Sequence, residues 1–284
     1  MPVTTSHWSE ALRPAAGFMF DLDGTLILSD KALGGYTLLP GAVELLTDLE
    51  TRGVPFLALT NGSAYPVTQQ APRLRALGLP ISDEHLFTPN SVAAKVFHDR
   101  GIQRVLVLGT QGVAEALQGD GVTTCFPGEA DAAQADAVYV AWHPDCSMAD
   151  IHAACDAVLG GAAFFTASDV PFFASRHGRA FGYSCAISGA IARVTGEEPE
   201  VTGKPSLHAM QFVATRLGIP AESVVVIGDD PRVETEMARL GGAMGVGVTT
   251  GTTSAAEWAA QPPERRPHRV IDSLAELESV GLLI

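Results

Sequence analysis

Two aspartates, Asp21 and Asp23, stand two residues apart where an apolar run meets a glycine turn, in Phe18-Met19-Phe20-Asp21-Leu22-Asp23-Gly24-Thr25-Leu26. Successive side chains on a strand alternate faces, so residues at i and i+2 project to one side and both can act on one substrate. Like charges that close repel unless a cation lies between them or one of them carries a proton. The pairing therefore points to a metal and an acid.

Three more segments carry residue types of the same kind. At Thr60-Asn61-Gly62-Ser63 an apolar run closes in a hydroxyl, an amide and a glycine, which can make a small anion site, although Asn-Gly is also a common turn pair. Gly203-Lys204-Pro205 sets a lysine between two backbone-restricting residues just ahead of a helix. Its point charge could neutralise a phosphate and a carboxylate together, or it could be a solvated turn lysine. Val224-Val225-Val226-Ile227-Gly228-Asp229-Asp230 delivers two acids from a very apolar run, with Glu234 a helical turn later. Oxygen ligands of this kind suit Mg²⁺, which keeps several waters and needs few carboxylates. A helix N-terminus attracts one acid easily and accounts poorly for three.

The elements that must position these residues alternate. Short apolar runs at 17–20, 54–59, 105–108, 137–141 and 224–227 end in glycine, asparagine, aspartate or Trp142-His143, and each precedes a helical pattern. Segments 41–52 and 206–217 space their apolar residues as helices do, and 150–159 and 188–194 read the same way. Such alternation predicts an α/β fold with a mainly parallel sheet and helices on both faces. Ligands of open α/β sheets sit at the carboxyl ends of the strands, where the polar residues above fall. Residues 261–268, rich in proline and arginine, read as an exposed loop before a last strand and helix.

The chain's 284 residues suffice for a large α/β domain or for a core plus a second domain. A formal net charge of −14 argues against a nucleic-acid partner, which demands clustered Lys and Arg. No apolar stretch approaches bilayer length and the first seventeen residues lack an apolar signal region, so no membrane association is expected and the location expected is the cytoplasm. Cys125, Cys146, Cys155 and Cys185 form no CxxC pair and show no ligand-like spacing with histidine, and they read as small buried apolar residues rather than disulfides or zinc ligands.

Taken together, the DxDGT segment, the strand-end Thr60, Lys204 and the Asp229-Asp230 pair resemble, in order and spacing, the haloacid dehalogenase superfamily. The long insertion between Asn61 and an intact Gly203-Lys204-Pro205 looks like the NagD-like branch, subfamily IIA, with a type II α/β cap. That resemblance implies a Rossmann-like core over 1–88 and 199–284 and an inserted cap over 89–198. It implies Asp21 as the nucleophile that becomes an aspartyl-phosphate, and Asp23 as the general acid and base whose backbone carbonyl also contacts the metal. Thr60 and the Asn61 backbone would hold phosphate oxygens, Lys204 would steady the charge on Asp21 and the transferring group, and Asp229 would ligate Mg²⁺ with Asp21 and Asp23. Asp230 and Glu234 would lie further out, Glu234 standing where many relatives have aspartate.

In the cap, His143 and Asp169 fall where similar enzymes place substrate contacts, though such a histidine is as readily a surface or capping residue. Segment 170–179, with Phe172, Phe173, Arg176, His177 and Arg179, could stack on or pair with a leaving group, and Phe164, Phe165, Phe172 and Phe173 could instead fill the cap core. Gly109-Thr110-Gln111-Gly112 reads as a cap turn, lacking the full glycine fingerprint of a nucleotide loop. The function expected is a Mg²⁺-dependent phosphatase of small phosphomonoesters, a nucleotide, sugar phosphate or phospho-acid, with a homodimer through the cap. The alternatives are a phosphometabolite-binding scaffold without turnover and a dehalogenase, in which Asp23 and the Asp229-Asp230 pair would be idle.

Overall fold

The computed structural model describes residues 16–29, 35–175 and 178–279. Six strands form one sheet in the spatial order Arg269–Ile271, Met244–Val248, Val224–Gly228, Gly17–Phe20, Phe56–Leu59, Leu86–Phe87, every pair parallel. Parallel neighbours need crossover helices that cover both faces, so the central strands are apolar throughout. Gly17–Phe20 and Val224–Gly228 are buried along their whole length. Phe18 and Phe20 enter one apolar cluster and Met19 the cluster on the opposite face.

A second sheet has five strands, also all parallel, in the order Glu200–Val201, Ala163–Thr166, Ala137–Val140, Arg104–Leu108, Thr123–Cys125. Two antiparallel hairpins complete the strands, Ile27–Ser29 with Tyr36–Leu38 and Phe172–Ser175 with Gly178–Phe181. The helices expected at 41–52, 206–217, 150–159 and 188–194 occur as Ala42–Thr51, Leu207–Leu217, Met148–Leu159 and Tyr183–Thr195. The architecture is α/β with parallel sheets flanked by helices. No helix of the described residues is long and apolar enough to cross a membrane.

The helix Pro89–Arg100 joins the two sheets. It packs on Leu207–Leu217 on one side and on Gln111–Gly119 on the other. Its Phe97 ring meets Tyr139 and Phe165 of the second sheet edge-on, at 5.8 and 5.1 Å between centroids. One apolar cluster consequently runs from Met19 and Leu57 through Val92, Ala93 and Phe97 to Val105 and Tyr139. Where the chain returns from the second sheet, Arg100 donates to both carboxylate oxygens of Glu200 at 2.6 and 2.7 Å, and His208 lies 2.9 Å from Oε2. The Arg100 hydrogen bonds hold the Glu200 carboxyl down at about 2.

A buried polar chain crosses the same junction. The Tyr139 hydroxyl donates to Asn90 Oδ1 at 3.0 Å and lies 3.5 Å from Thr202 Oγ1, and Asn90 Nδ2 donates to the Ser63 carbonyl at 2.9 Å. Asn90 and Tyr139 are both inaccessible to solvent. Buried amides must be satisfied within the protein, so the phenol is expected to matter for stability more than its size suggests. Tyr139→Phe should cost about 1–3 kcal/mol in urea unfolding with an unchanged m-value, because Asn90 Oδ1 loses its donor without any change in packing.

Candidate active site

The strand Gly17–Phe20 stops one residue before Asp21, whose N–H still donates to the Ile227 carbonyl at 2.8 Å. Asp23 is therefore not a strand residue. It lies in a tight turn with a single bridge to Ile27, and Gly24 follows at φ 94°. Strand alternation does not relate the two aspartates, as the sequence reading assumed; the turn beyond the strand does. Asp21 is buried and Asp23 half-buried beside Tyr36, whose phenol is raised first by burial and then by the Asp23 charge.

Lys204 is 0% exposed, and its ammonium donates to Asp21 Oδ1 and, at 2.8 Å, to Glu234 Oε1. Burial alone would lower its pKa. The two carboxylates outweigh that penalty and raise it, so the ammonium stays charged. Its backbone is clamped by one side chain: Asn61 Oδ1 accepts from Lys204 N at 2.8 Å while Asn61 Nδ2 donates to the Lys204 carbonyl at 2.7 Å. The sequence reading assigned a task only to the Asn61 backbone. The side chain ties the end of one core strand to the lysine turn, a pairing 143 residues apart that local pattern does not disclose. Thr60 is buried, and its Oγ1 accepts from the Gly62 N–H at 3.0 Å.

Asp229 closes the strand Val224–Gly228 and is buried. Its Oδ2 accepts from Thr252 N at 2.6 Å and from Thr252 Oγ1 at 2.9 Å. Thr252 escaped the sequence reading, although the rule that polar residues close apolar strands, applied to Met244–Val248, leads to Thr249-Thr250-Gly251-Thr252. Asp230 turns Oδ1 to the Arg232 N–H at 2.8 Å, whereas Glu234 is buried against Lys204. Gly228 makes that possible: a β-carbon there would come within 2.0 Å of Glu234 Cγ. The longer acid thus lies over the strand end to reach the lysine.

The electrostatics leave this cluster short of positive charge. Burial first, and the Asp21 charge second, push the Asp229 carboxyl up to about 7. Burial raises Glu234 against the pull of Lys204, with Asp21 and Asp229 adding to the rise. One lysine faces three buried carboxylates. The glycines around Asp229 shape a cradle, since a β-carbon on Gly24 or Gly251 would come 2.5 or 2.0 Å from its Oδ2. A cluster of carboxylate oxygens deficient in cations, hard donors without nitrogen or sulfur, fits Mg²⁺.

The second sheet contacts the loop that follows Thr60. Ser63 Oγ accepts from the Trp142 N–H at 3.1 Å, and Thr110 Oγ1 donates to the Ala64 carbonyl at 3.3 Å. Residues 109–112 lead from the strand Arg104–Leu108 through N-cap Thr110 into the first residues of the helix Gln111–Gly119. His143 follows Trp142, with Nε2 3.5 Å from Asp150 Oδ2. Asp169 is exposed just past the strand Ala163–Thr166. Phe164 and Phe165 are buried in the core, and Phe172 is an exposed residue in edge contact with Phe181. Arg176 and His177 lie outside the described residues. All four cysteines are free; Cys125 and Cys155 are buried, but Cys146 and Cys185 are only partly so, because Cys146 lies in the loop after Ala137–Val140 and Cys185 in the first turn of the helix Tyr183–Thr195.

Known proteins share this fold. The haloacid dehalogenase-like hydrolase family profile matches residues 18–123, and a second, HAD-hydrolase-like, matches 201–277. The chain belongs to the haloacid dehalogenase-like hydrolases. Within them it falls in the NagD-like branch, subfamily IIA, of phosphoric monoester hydrolases. It is 26% identical over 261 residues to the 5'-nucleotidase YutF of Bacillus subtilis, covering 92% of this chain and 96% of that one. It is 24% identical to the ribonucleotide monophosphatase NagD of Escherichia coli, covering 92% and 97%, and superposes on the solved NagD structure with a TM-score of 0.80. A glycerol phosphate phosphatase of Mycobacterium tuberculosis, solved in complex with magnesium, gives a TM-score of 0.79 at 25% identity, over 94% of this chain and 77% of that one.

Proposed function

We propose that the chain is a Mg²⁺-dependent phosphatase that hydrolyses small phosphomonoesters, a nucleotide, sugar phosphate or phospho-acid, through an aspartyl-phosphate on Asp21. The observation that carries this reading is the buried Lys204 ammonium held between Asp21 and Glu234. A carboxylate held by a buried cation at a strand end is aimed, as a nucleophile must be. An Asp21 carboxylate oxygen attacks phosphorus as the bond to the leaving alkoxide breaks, and Asp23 gives that oxygen its proton. Asp23 then takes a proton from water, whose oxygen attacks the same phosphorus and breaks the bond to Asp21, releasing phosphate.

The Thr60 hydroxyl and the Asn61 backbone hold the phosphoryl oxygens, and Lys204 balances the charge they share with Asp21. Asp21, the Asp23 carbonyl and Asp229 hold Mg²⁺, which when bound supplies the positive charge that the cluster lacks. Thr252 fixes Asp229, Glu234 orients Lys204, and Asp230 shapes the turn between them. The second sheet and its helices, residues 89–198 extended by the strand Glu200–Val201, serve as a cap that admits metabolites and excludes nucleic acid polymers, with Asp169 at its substrate side. A homodimer through this cap, in the cytoplasm and free of membranes, completes the reading by analogy with the family.

A panel of phosphometabolites assayed for phosphate release tests it. Chelating the metal should lower turnover by at least about 100-fold and restoring Mg²⁺ should recover it, since a bound ion supplies several kcal/mol of charge stabilisation. Turnover indifferent to chelation, or a preference for phosphoprotein over every small ester, would overturn it. The proton role of Asp23 has its own signature. Asp23→Asn should slow alkyl phosphates much more than an activated aryl phosphate, whose leaving group needs no proton; equal losses on both would remove the acid from the scheme.

A further inference from the structure

The turn at the carboxyl end of the second sheet's central strand carries a cluster that the phosphatase chemistry leaves unused. Past Ala137–Val140 the chain turns at His143-Pro144-Asp145-Cys146, where Cys146 N donates to the His143 carbonyl at 3.4 Å. A turn of this kind, with proline in its second position, brings the first and fourth residues together. Ser147 then caps the helix Met148–Leu159, and Asp150 folds back so that its Oδ2 accepts from Ser147 N at 2.7 Å. Turn and capping box thus draw an imidazole, a thiol and a carboxylate into one place, with their ligand atoms all within 4.8 Å of one another. Among the described residues no other three such groups converge this closely.

We propose that His143, Cys146 and Asp150 form a binding site for a borderline transition-metal ion of the Zn²⁺ class, separate from the oxygen cluster around Asp21. The donor set decides the class. Imidazole nitrogen and thiolate sulfur favour Zn²⁺ over Mg²⁺, and three protein ligands leave a fourth position for water. Donor atoms about 2.0–2.3 Å from a tetrahedral ion are roughly 3.3–3.8 Å apart. His143 Nε2 and Asp150 Oδ2 are already at 3.5 Å. Cys146 closes the rest by rotating its side chain, and the thiol proton leaves to solvent as the sulfur–metal bond forms.

A hydrogen-bonded capping box and a His–Asp pair account for two of these residues without any ion. They leave the Cys146 thiol only a long contact to the Ser147 carbonyl, at 3.7 Å, and its spacing in His-x-x-Cys-x-x-x-Asp is one that the sequence alone does not mark as ligand-like. In this assignment His143 serves the ion rather than the substrate. The site lies at the lip of the cap, because Trp142, next to His143, donates to Ser63 in the loop after Thr60. An ion there would tie the strand-end turn to the first helical turn and stiffen the edge that meets the catalytic loop.

Titrating the full chain with Co²⁺ under excess Mg²⁺ tests the site without reference to turnover. One equivalent should produce thiolate-to-cobalt charge-transfer absorption in the near ultraviolet, and Zn²⁺ should bleach it. Cys146→Ser should abolish the band, and His143→Ala should weaken cobalt binding by more than the about tenfold that follows loss of an outer-shell partner. Asp21→Asn should leave the band intact. Absence of the band in the wild-type protein, its survival in Cys146→Ser, or its loss in Asp21→Asn would each overturn the assignment. Circular dichroism of each variant shows that the fold is the same.

Discussion

Asp21→Asn is expected to cut phosphate release by at least about 10³-fold while leaving the protein folded and able to bind phosphate, because the substitution removes the attacking oxygen and little else. The amide fills the volume of the carboxylate, and Lys204 keeps Glu234 as its partner. Stability should hold or rise. Asp21 adds to the burden of both Asp229 and Glu234, each of which is raised partly by its charge. Neutralising it relieves that repulsion even as it takes one acceptor from Lys204. A thermal melt and a phosphate-binding titration therefore separate loss of chemistry from loss of structure. Turnover within about tenfold of wild type would show that Asp21 is not the nucleophile, since covalent catalysis has no second carboxylate as well aligned at that strand end.

Much of the frame behind this prediction was legible in the chain, because burial on both faces of a parallel sheet forces near-continuous apolar runs. Gly17–Phe20 and Val224–Gly228 announce themselves in that way, and their closing acids follow. Strand periodicity misplaces the relation between Asp21 and Asp23, since it ends at Phe20 and a turn takes over. What remained hidden rests on partners far apart in the chain. The Asn61 clamp on Lys204, the Thr252 support of Asp229 and the Tyr139–Asn90–Ser63 chain all link segments whose proximity only the sheet order creates. Glu234 is intermediate. Its position in the sequence invites comparison with an outer metal partner, yet its length and the bare Gly228 beneath it direct it to the lysine.

That contact makes Lys204→Met the most damaging change expected after Asp21→Asn. Methionine preserves the length of the buried stem and deletes the charge, so Asp21 and Glu234 face each other and Asp229 without the ammonium that both accept from. Breaking a buried pair in this way costs about 3–5 kcal/mol, because the desolvated charges left behind are uncompensated. Turnover should fall at least about 10³-fold for the same reason that phosphoryl transfer depends on fixed positive charge. The loss of stability should shrink on acidification. Carboxyls raised above their unfolded values cost stability at high pH and cease to do so once they are protonated, so the wild-type and variant unfolding curves converge as pH falls. Lys204→Arg should not rescue the site, because a guanidinium is too large for a position with no accessible surface. The double variant Lys204→Met/Glu234→Gln isolates the cause. It removes one of the orphaned carboxylates, so it should recover much of the stability lost by the single variant and none of the activity, a non-additivity that simple loss of packing could not produce.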